Sequence, residues 1–61
     1  MATIDDRLLT RREAAALLAM APHTLAQWLS RGEGPPVYRI GGRARYRRED
    51  LDRFIEERKA R

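Results

Sequence analysis

The sequence predicts a mostly α domain with one small β-hairpin, in the order helix, tight turn, helix, hairpin, helix. Apolar residues recur at helical spacing in three short segments, and two adjacent glycines separate two short strand-like runs. The chain has only 61 residues, and a chain of this length buries only about 60% of the surface that it exposes when unfolded. We therefore expect a single domain across residues 1–61, with its ordered core at about residues 8–58.

The first helix is predicted over residues 10–20. Thr10 and Glu13 have the spacing of a capping box, in which each side chain accepts a hydrogen bond from the other residue's backbone N–H. The apolar positions that follow lie at helical spacing and form one stripe: Ala14, Leu17, Leu18 and Ala21.

The second helix is predicted over residues 22–31, after a sharp turn. Pro22 suits the first helical position, where its missing N–H costs nothing, and Gly32 suits the left-handed conformation that ends many helices. The apolar positions have the spacing i, i+3, i+4: Leu25, Trp28 and Leu29. We expect Trp28 to anchor the core rather than to stack on nucleic-acid bases.

The hairpin is predicted from residues 37–40 and 44–47, on either side of Gly41-Gly42-Arg43. A two-residue loop at the glycines would pair Ile40 with Arg43, whereas a three-residue loop would pair Ile40 with Ala44. The longer loop also pairs Tyr38 with Tyr46 and leaves three arginines on the opposite face: Arg39, Arg45 and Arg47. We prefer the three-residue loop for this separation, although such loops usually require glycine at the place of Arg43.

The third helix is predicted over residues 48–59 and should bury three apolar side chains: Leu51, Phe54 and Ile55. Glu49 and Asp50 suit its positive N-terminal end. Two pairs with i, i+4 spacing should add ion pairs on its surface: Glu49–Arg53 and Glu57–Arg61.

The positive charge is concentrated in one segment. Residues 31–48 contain six arginines and a single acid, Glu33, for a net charge of +5, whereas residues 1–30 are neutral and residues 49–61 carry −1. The planar fork of donors in arginine suits phosphate groups and guanine edges. The location of these arginines on a hairpin favours a nucleic-acid partner.

The composition argues against several other functions. The chain has no cysteine and a single histidine, His23, so neither a disulfide framework nor a metal site is expected. Ser30 is a possible nucleophile, but no residue that could act as its general base lies nearby in the sequence, so we do not expect an enzyme. We also expect no cofactor. No segment is apolar enough to span a membrane, and the first residues lack the pattern of a signal peptide. These features predict a cytoplasmic location.

Two short helices joined by a tight turn and followed by a basic hairpin describe a winged helix-turn-helix. A short helix fits the major groove of DNA, where each base pair presents its own pattern of donors and acceptors. The second-helix residues expected to contact DNA are His23, Thr24, Gln27 and Arg31. The wing residues expected to contact it are Arg39, Gly42, Arg43, Arg45 and Arg47.

Three stretches of the sequence resemble the small excisionases and AlpA-type regulators of the MerR-like winged-helix group. They are LLTRREAAALL (8–18), TLAQWL (24–29) and PPVYRIGGRARYRREDL (35–51), and the most specific part is the wing, RIGGRARY. The resemblance covers about residues 8–56. One departure is Ala21, which stands where such proteins often have a serine cap before the second helix.

The resemblance implies that the second helix enters the major groove of double-stranded DNA while the wing follows the backbone or the minor groove. It implies an excisionase (a recombination directionality factor) of a phage or integrative element, or a small transcriptional regulator, associated with the bacterial nucleoid. Its partners would be DNA, a cognate integrase and further copies of itself on adjacent sites.

Two other functions stay open from the sequence. One is a protein-interaction adaptor that keeps the fold without binding DNA, against which the arginine-rich wing argues. The other is an RNA-binding module, which is less favoured because the sequence shows no exposed aromatic platform for unstacked bases.

Overall fold

The computed structural model describes residues 8–59 of the chain. Its elements are β1 (Leu8–Leu9), α1 (Arg11–Leu17), α2 (Pro22–Ser30), β2 (Tyr38–Ile40), β3 (Arg43–Arg47) and α3 (Arg48–Glu57). The fold is a winged helix-turn-helix, as predicted, and each helix is shorter at its C-terminus than the sequence suggested. Within the described range, no helix has both the length and the apolar character needed to cross a bilayer.

The start of α1 confirms the predicted capping box. The hydroxyl of Thr10 accepts from the backbone N–H of Glu13 at 3.1 Å, and the Glu13 carboxylate accepts from the backbone N–H of Thr10 at 2.9 Å. Two backbone donors at the helix start are thereby satisfied. This cap fixes where α1 begins, and with it the position of Arg11, the first helical residue.

The turn between α1 and α2 is made by a residue other than glycine in the left-handed conformation. Ala19 has φ 58°, and the N–H of Met20 donates to the carbonyl of Ala15 at 2.9 Å while the N–H of Ala19 donates to the carbonyl of Ala16 at 3.1 Å. This pair of bonds is a Schellman motif, which stops a helix and reverses the chain. It explains why α1 ends before residue 20.

Replacing Ala19 with glycine should raise the free energy of unfolding by about 1 kcal/mol, because glycine adopts the left-handed conformation without a Cβ penalty. Such a gain corresponds to a rise in Tm of about 4–8 °C in a domain of this size. Thermal unfolding followed by circular dichroism measures it. The matched control is Ala16→Gly, which lies inside α1 and should be destabilising; a lower Tm for Ala19→Gly would contradict the role of this turn.

The end of α2 confirms the predicted stop at Gly32. Gly32 has φ 71°, its N–H donates to the carbonyl of Leu29 at 3.1 Å, and the N–H of Glu33 donates to the carbonyl of Trp28 at 2.8 Å. The start of α2 has Pro22 at its first position and no side-chain cap from Ala21. Ala21 is exposed, so its predicted place in the apolar stripe of the first helix was wrong.

The hairpin has the two-residue loop, so the preferred three-residue register was wrong. Ile40 pairs with Arg43, Arg39 with Ala44, and Tyr38 with Arg45. Both loop glycines have positive φ, 61° at Gly41 and 78° at Gly42. A turn of this kind matches the twist of the strands and needs positive φ at both central residues, which glycine adopts freely. Turn chemistry therefore outweighed the separation of apolar from charged faces.

A short strand that the sequence did not predict completes the sheet. β1 pairs antiparallel with β3, Leu8 with Arg47 and Leu9 with Tyr46, which gives the strand order β1-β3-β2. Because β1 is only two residues long, no periodicity reveals it in the sequence. Because β1 is so short, the same edge of β3 has no paired strand at residues 43–45 within the described range, residues 8–59.

The core lies where α1, α2 and α3 meet the inner face of the sheet. The fully buried apolar side chains are Ala14, Ala15, Leu25, Tyr46 and Leu51. Trp28 is half-buried against this cluster, as expected of a core anchor, and its ring lies 5.8 Å from that of Phe54. Phe54 is also half-buried, but Ile55 is 44% exposed, so its predicted burial was wrong.

The ion pairs of α3 differ from those predicted. Arg53 lies 3.4 Å from Asp50, three residues back, and Glu49 pairs with Arg47 at 2.6 Å. The pair Glu49–Arg53 was therefore wrong, because both partners have nearer partners of opposite charge. The predicted pair Glu57–Arg61 lies outside the described residues.

Candidate nucleic-acid interface

Three of the four predicted contact residues of the second helix share one exposed face. His23, Gln27 and Arg31 follow one another at intervals of four residues and are all exposed, so they lie along one side of the helix. Leu25, which is 1% exposed, fixes the opposite side in the core. Thr24 is half-buried at the margin of this face. Arg31 also lies 3.6 Å from Glu33, an exposed and therefore weak ion pair.

The observed register distributes the wing arginines over both faces of the hairpin. Alternation along β3 places Arg43, Arg45 and Arg47 on the face that carries Tyr38 and Ile40. Arg39 lies on the other face, opposite Ala44. The expectation that Arg39 shares a face with Arg45 and Arg47 was wrong, because the two-residue loop pairs Arg39 with Ala44.

Despite this alternation, arginines from both faces line one groove. The groove has a volume of about 410 Å³, and its walls are Arg11, Arg39, Gly42, Arg43, Ala44 and Arg45. No acidic residue is among them. Among residues 8–59, no carboxylate forms an ion pair with Arg39, Arg43 or Arg45. The groove is therefore a concentration of positive charge between α1 and the wing.

Arg11 is the residue of this groove that sequence reasoning missed. It belongs to a segment without net charge and precedes the hairpin by more than twenty residues. Nothing in the linear pattern connects it with the wing. The packing of α1 against β3 brings Arg11 and the wing together. They meet at the edge of β3 that pairs with β1, a strand that the sequence did not predict.

Arg47 differs from the other wing arginines because it belongs to a polar network at the base of the wing. Its guanidinium donates to the Glu49 carboxylate at 2.6 Å. The neighbouring Tyr38 hydroxyl, followed by the Glu49 carboxylate, raises the pKa of Arg47. The side chain thus stays charged, but much of its field is neutralised by Glu49.

The same network ties the wing to α3. The Tyr38 hydroxyl donates to Oδ2 of Asp50 at 2.9 Å, and Asp50 is only 7% exposed. Oδ1 of the same carboxylate accepts from Arg53 at 3.4 Å. A buried carboxylate needs such partners because it has left water. The bond from Tyr38 therefore holds β2 against the first turn of α3.

Tyr38→Phe should lower the free energy of unfolding by about 1–2 kcal/mol, because Asp50 loses a donor that it cannot replace from bulk water. Urea unfolding monitored by tryptophan fluorescence measures the change. The matched control is Arg48→Ala, which removes an exposed pair with Asp52 at 3.4 Å and should cost less than about 0.5 kcal/mol. Equal stabilities of Tyr38→Phe and the wild-type chain would contradict the anchoring role.

Comparison with known proteins gives one match. A family model described as a helix-turn-helix domain matches residues 8–59, which is most of the chain. No curated protein and no solved structure gives a significant match. The matched range contains all six elements of the fold, including both helices of the helix-turn-helix and the wing. The chain therefore belongs to this helix-turn-helix family, as its resemblance to the excisionase and AlpA-type proteins indicated, and its general function is DNA binding.

Proposed function

We propose that this protein binds specific sites on double-stranded DNA, with α2 in the major groove and the wing on the adjacent backbone or minor groove. The observation that carries the proposal is the exposed face of α2. His23, Gln27 and Arg31 are directed away from a core that Leu25 secures, and their side chains have the donors and acceptors that read base edges.

Each residue of this face suits a particular contact. The amide of Gln27 both donates and accepts, so it can bind the N6 and N7 positions of adenine together. Arg31 suits guanine or a phosphate, and its exposed pair with Glu33 is easily exchanged. His23 and the half-buried Thr24 lie near the start of α2, where contacts to phosphates fix the register of the protein on the duplex.

The wing supplies affinity rather than sequence preference. Arg39, Arg43 and Arg45 have no acidic partner among the described residues, so binding of phosphates costs them no ion pair and releases counterions. Gly42, at the tip, presents no side chain and allows the backbone to approach the DNA closely. Arg47 contributes less in this account, because Glu49 already occupies it.

The biological role that we propose is that of an excisionase of a phage or integrative element, or of a small transcriptional regulator. The family match and the wing motif support this assignment. A single α2 and a single wing cover few base pairs, so several copies on adjacent sites would bend the DNA together. Bending costs on the order of 1–6 kcal/mol per site of 20–30 base pairs, which cooperative binding and a cognate integrase would offset.

Electrophoretic mobility shifts with duplex DNA, single-stranded DNA and RNA over a range of salt concentrations test the proposal. We expect duplex binding that is preferred over both other probes and weakens with salt. With about five phosphates engaged, the slope of log affinity against log salt is about −4 to −5. Absent or salt-independent duplex binding would instead favour a protein-interaction adaptor, and preferred RNA binding would favour an RNA module.

Gln27→Ala should change the preference among DNA sites more than it changes affinity for random duplex. Loss of a two-bond contact with adenine removes about 1–3 kcal/mol of discrimination at one base pair. Selection from a randomised duplex pool, followed by sequencing, shows which position is relaxed. The control is Glu56→Ala, an exposed change on α3. A uniform loss on all sequences would contradict base reading by Gln27.

A further inference from the structure

We propose that the groove between α1 and the wing binds a phosphodiester of the DNA backbone, and that Arg11 is a contact residue of this site. The inference extends the proposed function and rests on it, because the ligand is the backbone of a bound duplex. It adds to the predicted interface a residue from the first helix.

The composition of the groove identifies the chemistry of its ligand. Four of its six lining residues are arginines, and the other two, Gly42 and Ala44, are small and present backbone. Like charges in a shared groove repel one another unless an anion lies between them. A ligand with negative charge along an extended chain satisfies all four guanidinium groups, which is the chemistry of a polyphosphate or a nucleic-acid backbone.

The strand pairing explains why side chains from two faces reach one groove. Ile40 and Arg43 close the two-residue hairpin, so the backbone N–H and C=O of Ala44 are directed away from β2. They lie at the edge of β3 that β1, which pairs only with residues 46 and 47, does not cover. The guanidinium of Arg45 donates to the carbonyl of Ala44 at 2.9 Å. This bond holds the guanidinium at the same edge of β3, where Arg45 lines the groove.

Arg11 provides an independent reason for an anion at this place. Its Nε is buried and has no hydrogen-bond partner within the part of the chain that the structure describes. Buried donors in folded proteins are nearly always paired, and an unpaired one is destabilising. Arg11 also lines the groove, so a phosphate bound there is a candidate acceptor for this group.

The position of α1 makes this contact useful for binding. α1 packs against both α2 and β3, so a phosphate held by Arg11 is bound to an element that contacts both the second helix and the wing. The capping box that begins α1 fixes the backbone of Arg11. A rigidly placed phosphate contact sets the position of a protein on its duplex.

The test compares Arg11→Met with Arg12→Met. Each variant loses one charge and keeps an apolar stem, but Arg12 is exposed and does not line the groove. The salt dependence of binding to a random duplex is measured by fluorescence anisotropy, after circular dichroism has shown that both variants fold. We expect Arg11→Met to flatten the slope by about 0.9 and to weaken binding about eightfold at 0.1 M salt. Arg12→Met should stay close to the wild-type chain.

Two outcomes would overturn the site while leaving the proposed function intact. One is an unchanged slope in Arg11→Met when the wild-type chain binds duplex, and the other is an equal loss in both variants, which would indicate net charge alone. Absence of duplex binding by the wild-type chain would overturn the proposed function itself. Arg11→Gln also removes the charge; it replaces the methionine variant if that one fails to fold, and it should flatten the slope by the same amount. Arg11→Lys retains the charge and should keep the slope.

A competition experiment separates the DNA backbone from a free polyphosphate. Inorganic tripolyphosphate shares the charge of the backbone but lacks its length and its groove geometry. We expect it to displace duplex only at concentrations far above the Kd for duplex. Displacement at concentrations comparable with that Kd would identify a free polyphosphate as the ligand and would overturn the assignment to the DNA backbone.

Discussion

Tyr46→Ala should leave the domain largely unfolded at room temperature, whereas Tyr38→Ala should leave it folded. Tyr46 is 1% exposed and lies on the central strand against the core, while Tyr38, on the other face of the same hairpin, is 37% exposed. Truncating a buried aromatic ring costs about 3–5 kcal/mol. A single hydrophobic core in a chain this short supplies about 3–5 kcal/mol of stability, so the loss removes most or all of it.

The comparison of the two tyrosines also tests the register of the hairpin. In the three-residue register both rings would share one face, and the two variants would lose similar amounts of stability. In the observed register only Tyr46 faces the core, and Tyr38→Ala should cost about 2 kcal/mol, because it loses the bond to Asp50 and the packing of a ring that is 37% exposed. Urea unfolding followed by far-ultraviolet circular dichroism measures both, and equal losses would contradict the two-residue loop.

The double variant Arg39→Ala, Arg43→Ala should reduce affinity for any duplex about 60-fold at 0.1 M salt. Two lost phosphate contacts flatten the slope of log affinity against log salt by about 1.8. Neither arginine has an acidic partner among residues 8–59, so the change removes binding charge without breaking an ion pair. Fluorescence anisotropy across a salt series measures both quantities.

A charge-matched control separates the wing from the total charge of the protein. Arg48→Ala, Arg58→Ala removes two cations from α3, each of which already pairs with an acid, Asp52 and Glu57. We expect this variant to keep nearly the full slope, because its charges do not contact phosphates. A loss equal to that of the wing variant would show that binding follows net charge and not the wing.

Much of the fold follows from local signals in the sequence. The capping box of Thr10 and Glu13, the proline at the start of α2 and the stop at Gly32 each act within one helical turn, and the structure has all three. The order of the elements follows from periodicity in the same way. The exposed face of α2 was also predictable, because Leu25 and Trp28 fix which side of the helix meets the core.

The features that could not be predicted depend either on competing local preferences or on packing between elements that are far apart in the sequence. Two preferences competed for the hairpin register: separation of apolar from charged side chains, and a turn that suits Gly41-Gly42. The turn determined the register, because a three-residue loop needs glycine where Arg43 stands. The position of Arg11 in the groove arises only when α1 meets β3. Neither the two residues of β1 nor the pairing of Arg47 with Glu49 leaves a periodic signal.

The most direct test of the account is whether α2 and the wing bind one duplex together. Titration of the ¹⁵N-labelled chain with duplex DNA, followed by two-dimensional NMR, reports on every backbone amide. We expect the largest shifts at residues 23, 27 and 31 and at residues 42–45, at the same ratio of DNA to protein, with small shifts on the outer side of α3. Shifts confined to one of these two regions, or largest in α3, would contradict the account.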